Sequence, residues 1–184
     1  MPKAGGVGNS YWITSLAPIS APAASGDAAA MASPRLLKGR ISRVGDFYVV
    51  TTVTERRREL FRSGKLADVV VGELQLCAEE GALISLAWVV MPDHLHWLLQ
   101  LQQSSLSRCM QAFKSRSARA INAVGASQGS VWQPGFYDHR LRDERDLDRQ
   151  ARYLIANPIR SGLVSDIDAY PYWGCRWISR AADL

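Results

Sequence analysis

Two apolar runs joined by a two-residue connection constrain this chain more than any other feature. Residues 83–90 are almost continuously apolar, the pattern of a central strand, and Pro92-Asp93 links them tightly to His94-Leu95-His96-Trp97-Leu98-Leu99-Gln100-Leu101. Side chains alternate along a strand, so Leu95, Trp97, Leu99 and Leu101 form one apolar row while His94 and His96 point together to the opposite face. The hairpin therefore presents two imidazoles about 7 Å apart on a rigid strand, a ready pair of metal ligands. The chain has 3 histidines, and two of them stand here. Taken alone, the pair also suits a solvated sheet face without chemistry; partners elsewhere decide.

The 184 residues suffice for one core domain of about 150 residues with sequence left over. At 47% hydrophobic and 21% charged the composition is globular, and no apolar run reaches the roughly 18 residues of a membrane span, so no membrane partner is expected. The formal charge of +5, carried mostly by arginine, favours an anionic partner and nucleic acid first. Cys77, Cys109 and Cys175 are odd in number and widely spaced, which argues for reduced, buried thiols in a cytoplasmic protein.

Residues 1–34, rich in Ala, Gly, Ser and Pro, lack the large apolar groups that offset ordering entropy and are expected to be disordered, with Met31 an alternative start. A domain over 35–164 and a tail over 165–184 follow. Arg35, Lys38, Arg40 and Arg43 lead into a first strand over 47–53, and Arg56, Arg57 and Arg58 form a second basic cluster behind it. A helix is expected over 66–80, ended by Gly81. A second covers 105–124, with Leu106, Cys109, Met110, Phe113, Ile121 and Val124 on one side and Arg108, Lys114, Arg116 and Arg119 on the other. Residues 131–142 read as a strand interrupted at Pro134-Gly135. Asp143 suits the N-cap of a last helix to about Ala156, which buries Leu147, Ala151 and Leu154 or Ile155. Tyr153 and Asn157 lie one turn apart on a different face; Asn157, before Pro158, also suits a helix cap. Trp173 and Trp177 in the tail either pack back on the domain or offer aromatic surfaces to bases.

This order, β-α-β-β-α-β and then a helix, is that of an α+β fold with a ferredoxin-like antiparallel sheet, two helices on one face and the last helix over the other. The histidine strand is central in such a sheet, and the last helix would bring Tyr153 toward it. Two neutral imidazoles and an amide oxygen can hold a cation that polarises a phosphodiester, and a tyrosine beside it can attack phosphorus covalently.

At this point the chain resembles the REP-associated tyrosine transposases, single-strand transposases with a His-hydrophobic-His motif and one catalytic tyrosine. The resemblance spans about residues 38–172 and rests on five blocks in order: residues 45–51, Met91-Pro92-Asp93-His94-Leu95-His96, Lys114-Ser115, residues 132–139, and Tyr153-Leu154-Ile155-Ala156-Asn157-Pro158-Ile159-Arg160-Ser161-Gly162-Leu163-Val164. It implies that His94, His96 and Asn157 bind Mg²⁺ or Mn²⁺. It implies further that Tyr153 cleaves single-stranded DNA through a 5′-phosphotyrosine link at a hairpin formed by a palindromic repeat with a short guide sequence beside it. Arg56, Arg57, Arg58, Lys114 and Arg116 are the candidate contacts to the DNA backbone. His139 either supports the metal ligands from behind or is a satisfied structural histidine. The competing classes are a non-catalytic hairpin-binding regulator, a replication initiator or relaxase, and a purely structural module. Tyr137, Tyr170 and Tyr172 are alternative nucleophiles without an Asn one turn later. Monomer and homodimer both remain open.

Overall fold

The computed structural model describes residues 42–125 and 128–180. The 1–34 segment, Met31 and the cations Arg35, Lys38 and Arg40 lie outside the described residues. Strand β1 (Phe47–Val53) leads to helix α1 (Gly64–Glu79), the hairpin β2 (Leu83–Met91) and β3 (His94–Leu101), helix α2 (Leu106–Val124), β4 (Tyr137–Leu141), α3 (Asp146–Ile155), a single further turn α4 (Asn157–Arg160) and β5 (Trp173–Cys175). The sheet order is β4-β1-β3-β2-β5, antiparallel throughout. The first four strands have the ferredoxin-like arrangement, and β5 extends it at the β2 edge.

Alternation along the strands divides the core in two. Tyr48, Val50, Val90, Leu95, Trp97, Leu99 and Leu101 face α1 and α2, where Ala67, Val70, Leu74 and Cys77 supply a buried stripe at helical spacing. That stripe overrides the weak helix preference of Val69-Val70-Val71. In α2, Met110 and Phe113 are fully buried; the Phe113 ring lies 5.4 Å from that of Trp97, while Val124 at the helix end is exposed. Each such large side chain contributes about 1.5–3 kcal/mol of burial. On the opposite face Ala87, Val89, Met91 and Leu98 pack against Ala151, Leu154 and Ile155 of α3. His94 and His96 share that second face.

Local chemistry moves some boundaries. Pro134 cannot donate to a ladder and Gly135 takes φ 75°, so Trp132 makes only an isolated bridge to Thr54 before β4 starts at Tyr137. Asp143 is not the helix cap: its Oδ1 accepts from the Arg145 amide at 2.9 Å in the preceding turn, and α3 starts at Asp146. The C-terminal residues pack back on the domain. Gly174 of β5 lies against Trp88, whose indole a Cβ there would meet at 2.8 Å, and Trp177 donates to Asp148 of α3 at 3.1 Å. Among the described residues no helix is long and apolar enough to cross a membrane.

One buried polar chain ties α2 to the segment before β4. Trp132 Nε1 donates to Ser117 Oγ at 3.0 Å, and that hydroxyl donates to Phe113 O at 2.7 Å. Ser117→Ala strands a buried indole N–H and is expected to lower unfolding free energy by about 1–3 kcal/mol in urea titration. A loss below about 0.5 kcal/mol, the level of a neutral surface change, would refute this role.

Candidate active site

Strand β3 is paired on both sides, with Thr51 and Val89 opposite His96 and Val53 and Met91 opposite His94. The two rings meet edge to face, and their Nε2 atoms lie 3.1 Å apart. Each ring is held from behind. His94 Nδ1 lies 2.5 Å from Asp93 Oδ1, and His96 Nδ1 lies 2.8 Å from Thr51 Oγ1. An ionised carboxylate only accepts, so His94 carries its proton on Nδ1 and offers a lone pair at Nε2. Thr51 can accept or donate. His96 can therefore turn either an N–H toward His94 or a second lone pair toward a shared cation. Two nitrogens 3.1 Å apart, each about 2.1 Å from one ion, subtend about 95° at it, which suits neighbouring positions of an octahedron. The pair fits a divalent metal. Among the described residues no third His, Cys, Asp or Glu completes a metal cluster with it.

Burial pushes His96 down to about 3; the His94 ring adds to this and the Asp93 charge opposes it, so the imidazole stays neutral at ordinary pH. Burial alone would raise the Asp93 carboxyl. Hydrogen bonds and charge from His94 and Arg57 outweigh that and hold it below its ordinary value.

Asp93 also anchors the basic loop after β1. Its Oδ2 accepts from Arg57 at 2.9 Å, and its carbonyl accepts from the Thr54 amide at 2.8 Å. Arg56 and Arg57 adopt φ 56° and 52°, the left-handed region, at a cost of roughly 1–2 kcal/mol each. Such strain persists where surrounding contacts impose it, as the Asp93 bonds do here. Arg56 is exposed, Arg57 is exposed beyond its Asp93 contact, and Arg58 donates to Ser130 O at 2.6 Å.

Lys114 and Arg116, two of the expected DNA contacts, have partners within the fold. Lys114 Nζ donates to the carbonyls of Gln133 and Gly135, pinning α2 to the turn before β4, and burial lowers its pKa. Arg116 clamps α2 to α1, with Nε 3.0 Å from Glu73 and a terminal nitrogen 2.5 Å from Glu80. Both side chains are partly exposed and engage the fold through these donors. His139 stands exposed on β4 opposite Val49, with β1 between it and β3. Its backbone stands two strands away from β3, on the order of 10 Å at about 4.8 Å per strand.

Tyr153 and Asn157 come together at the end of α3. Tyr153 is 50% exposed, and the Arg160 guanidinium lies 4.2 Å from its ring centroid. Asn157 Nδ2 donates to Leu154 O at 2.9 Å and to Tyr153 O at 3.2 Å, so the amide caps the helix and keeps Oδ1 as its open acceptor. Helix α3 covers the sheet face that carries the imidazoles, and among the described residues no hydrogen bond or ring contact joins Tyr153 or Asn157 to them. Sequence reasoning missed Thr51, Asp93 and Arg160. Asp93 carried a signal, standing immediately before His94 in the quoted motif; the position of Thr51 needs the β1–β3 register.

Lys114→Ala leaves two carbonyls without their cation and is expected to cost about 1–2 kcal/mol in a urea melt. Arg56→Ala should change stability by less than about 0.5 kcal/mol. Unchanged stability with weakened DNA binding in Lys114→Ala would return that lysine to the DNA surface.

The family model for IS200-like transposases matches residues 47–157, from β1 through Asn157. A Haemophilus influenzae protein named as a REP-associated tyrosine transposase is 24% identical over 139 residues, covering 70% of this chain and 78% of that protein. The REP-associated tyrosine transposase of Escherichia coli K12 is 28% identical over 88 residues, 47% of this chain and 50% of the relative. Among solved structures, a REP-associated tyrosine transposase bound to a REP hairpin superposes with a TM-score of 0.63 at 22% identity, covering 78% of this chain and 82% of that one. That likeness carries the fold. With the family match running over more than half the chain and through both ends of the candidate site, the chain belongs to the IS200-like transposases.

Proposed function

We propose that this protein cleaves and rejoins single-stranded DNA at hairpins formed by palindromic repeats, with Tyr153 as nucleophile and with His94, His96 and Asn157 as ligands of Mg²⁺ or Mn²⁺. The observation that carries the reading is the facing pair of imidazole nitrogens 3.1 Å apart, each ring held at its far nitrogen. A bound divalent cation supplies polarisation of the phosphodiester and offsets charge that develops on it. His94 and His96 serve by presenting lone pairs from a strand that cannot shift, and Asp93 and Thr51 fix the ring orientations. Asn157 has the donor set for the third protein ligand, because its Nδ2 is engaged by α3 and its Oδ1 is open.

The exposed Tyr153 hydroxyl then attacks phosphorus. The new P–O bond forms as the bond to the 3′-oxygen breaks, which leaves a 5′-phosphotyrosine and a free 3′-hydroxyl. One phosphoester replaces another, so attack by a second 3′-hydroxyl rejoins strands without ATP. Arg56, Arg57 and Arg58, on the strained loop beside Asp93, are the cations that would meet DNA backbone and give a salt-dependent affinity. The hairpin substrate is supported by the names of the two relatives and by the structural neighbour, which is itself bound to a REP hairpin.

The test incubates hairpin oligonucleotides from repeats flanking the gene with protein and Mg²⁺ or Mn²⁺, followed by denaturing electrophoresis. Wild-type protein is expected to yield a cut strand and a protein-linked strand, with both falling to background in Tyr153→Phe. Tight hairpin binding without cleavage in either metal would contradict the enzymatic reading and favour a regulator.

A further inference from the structure

Arg160 stands apart from the other arginines of the C-terminal helices. On α3, Arg149 is paired with Asp146 at 2.7 Å and Arg152 with Asp148 at 2.6 Å. Arg160 is exposed and has no carboxylate partner among the described residues; its guanidinium lies over the Tyr153 ring instead. The placement is built into the local fold. Helix α3 stops at Ile155, Asn157 ties back to the Tyr153 and Leu154 carbonyls, and Pro158 is buried beneath the new turn. On an unbroken helix a residue seven positions along would stand about 10 Å further up the axis. From this turn the Arg160 side chain reaches back over the Tyr153 ring.

An exposed cation over an aromatic ring is a weak restraint compared with charge-assisted hydrogen bonds to a phosphate, for which the planar guanidinium fork is well shaped. A phosphate esterified to the phenolic oxygen would sit at the edge of the ring that Arg160 covers. We propose that Arg160 is a further catalytic residue, whose N–H fork takes the non-bridging oxygens of the phosphodiester under attack and holds the same phosphate in the tyrosine ester. The inference rests on the reading of Tyr153 as nucleophile. In the step, the phenolic oxygen bonds to phosphorus as the 3′-oxygen departs; the phenolic proton passes to solvent and the 3′-oxygen takes one from solvent. Nothing is oxidised or reduced. Negative charge on the non-bridging oxygens is what the fixed cation stabilises.

The experiment measures single-turnover cleavage of a labelled hairpin at saturating protein for wild type, Arg160→Ala and Arg160→Lys, with hairpin affinity measured separately. Arg160→Ala is expected to lower the saturated rate about 100-fold, the scale for removing one transition-state donor, while affinity changes by less than about threefold. Arg160→Lys should recover about tenfold of the loss, because it restores the charge without the fork. Arg160→Ala cleaving at the wild-type saturated rate, with or without weaker binding, would overturn the inference and leave Tyr153 intact as nucleophile. Absence of a tyrosine-linked product in wild type would instead refute the nucleophile reading itself, and Arg160 with it.

Discussion

The ladder that holds β3 between β1 and β2 fixes where both imidazoles stand, and the remaining site geometry depends on it. A strand bonded on both sides cannot slip by one residue without moving Leu95, Trp97, Leu99 and Leu101 out of the core, so burial of that row and placement of the histidines on the opposite face are one constraint. The same register puts Thr51 behind His96, and the tight connection puts Asp93 behind His94. Stability and site geometry thus share their cause. The facing imidazole nitrogens are oriented by the hydrophobic core on the opposite side of the strand.

Charge in this protein is sorted by burial. Half-buried cations of α2 bind the domain together, Lys114 through carbonyls and Arg116 through two glutamates. Among the exposed cations, Arg56, Arg57 and Arg58 stand on the strained loop after β1 and Arg160 on the turn beside Tyr153. The first is tied through Asp93 to a candidate metal ligand, and the second lies against the candidate nucleophile. A net positive charge is therefore a poor guide to the interaction surface until each cation's partner is known.

Much of this was legible in the sequence because the strongest signals were periodic. The bounds of β1 and β3, the two faces of β3, and the buried positions Ala151, Leu154 and Ile155 follow from alternation and helical spacing. What the sequence hid depended on contacts between distant residues or on local competition. A lysine on a helix face looks the same whether it faces water or carbonyls 19 and 21 residues away. The Asp143 side chain is taken up by the Arg145 amide in the preceding turn, so α3 starts at Asp146 rather than just after Asp143. Strand β5 is three residues long, too short for a period, and Gly174 is there because Trp88 leaves no room for a Cβ. The stacking of Arg160 on Tyr153 joins side chains seven residues apart, a contact that no spacing rule specifies.

The central claim is that His94 and His96 bind one divalent cation through facing nitrogens. Pulsed electron paramagnetic resonance of Mn²⁺ added to the protein reads directly coordinated imidazole nitrogens. The account predicts couplings from two such nitrogens, reduced to one in His94→Ala or His96→Ala and absent when both are replaced. Bound Mn²⁺ without nitrogen coupling, or couplings unchanged in the double variant, would contradict it.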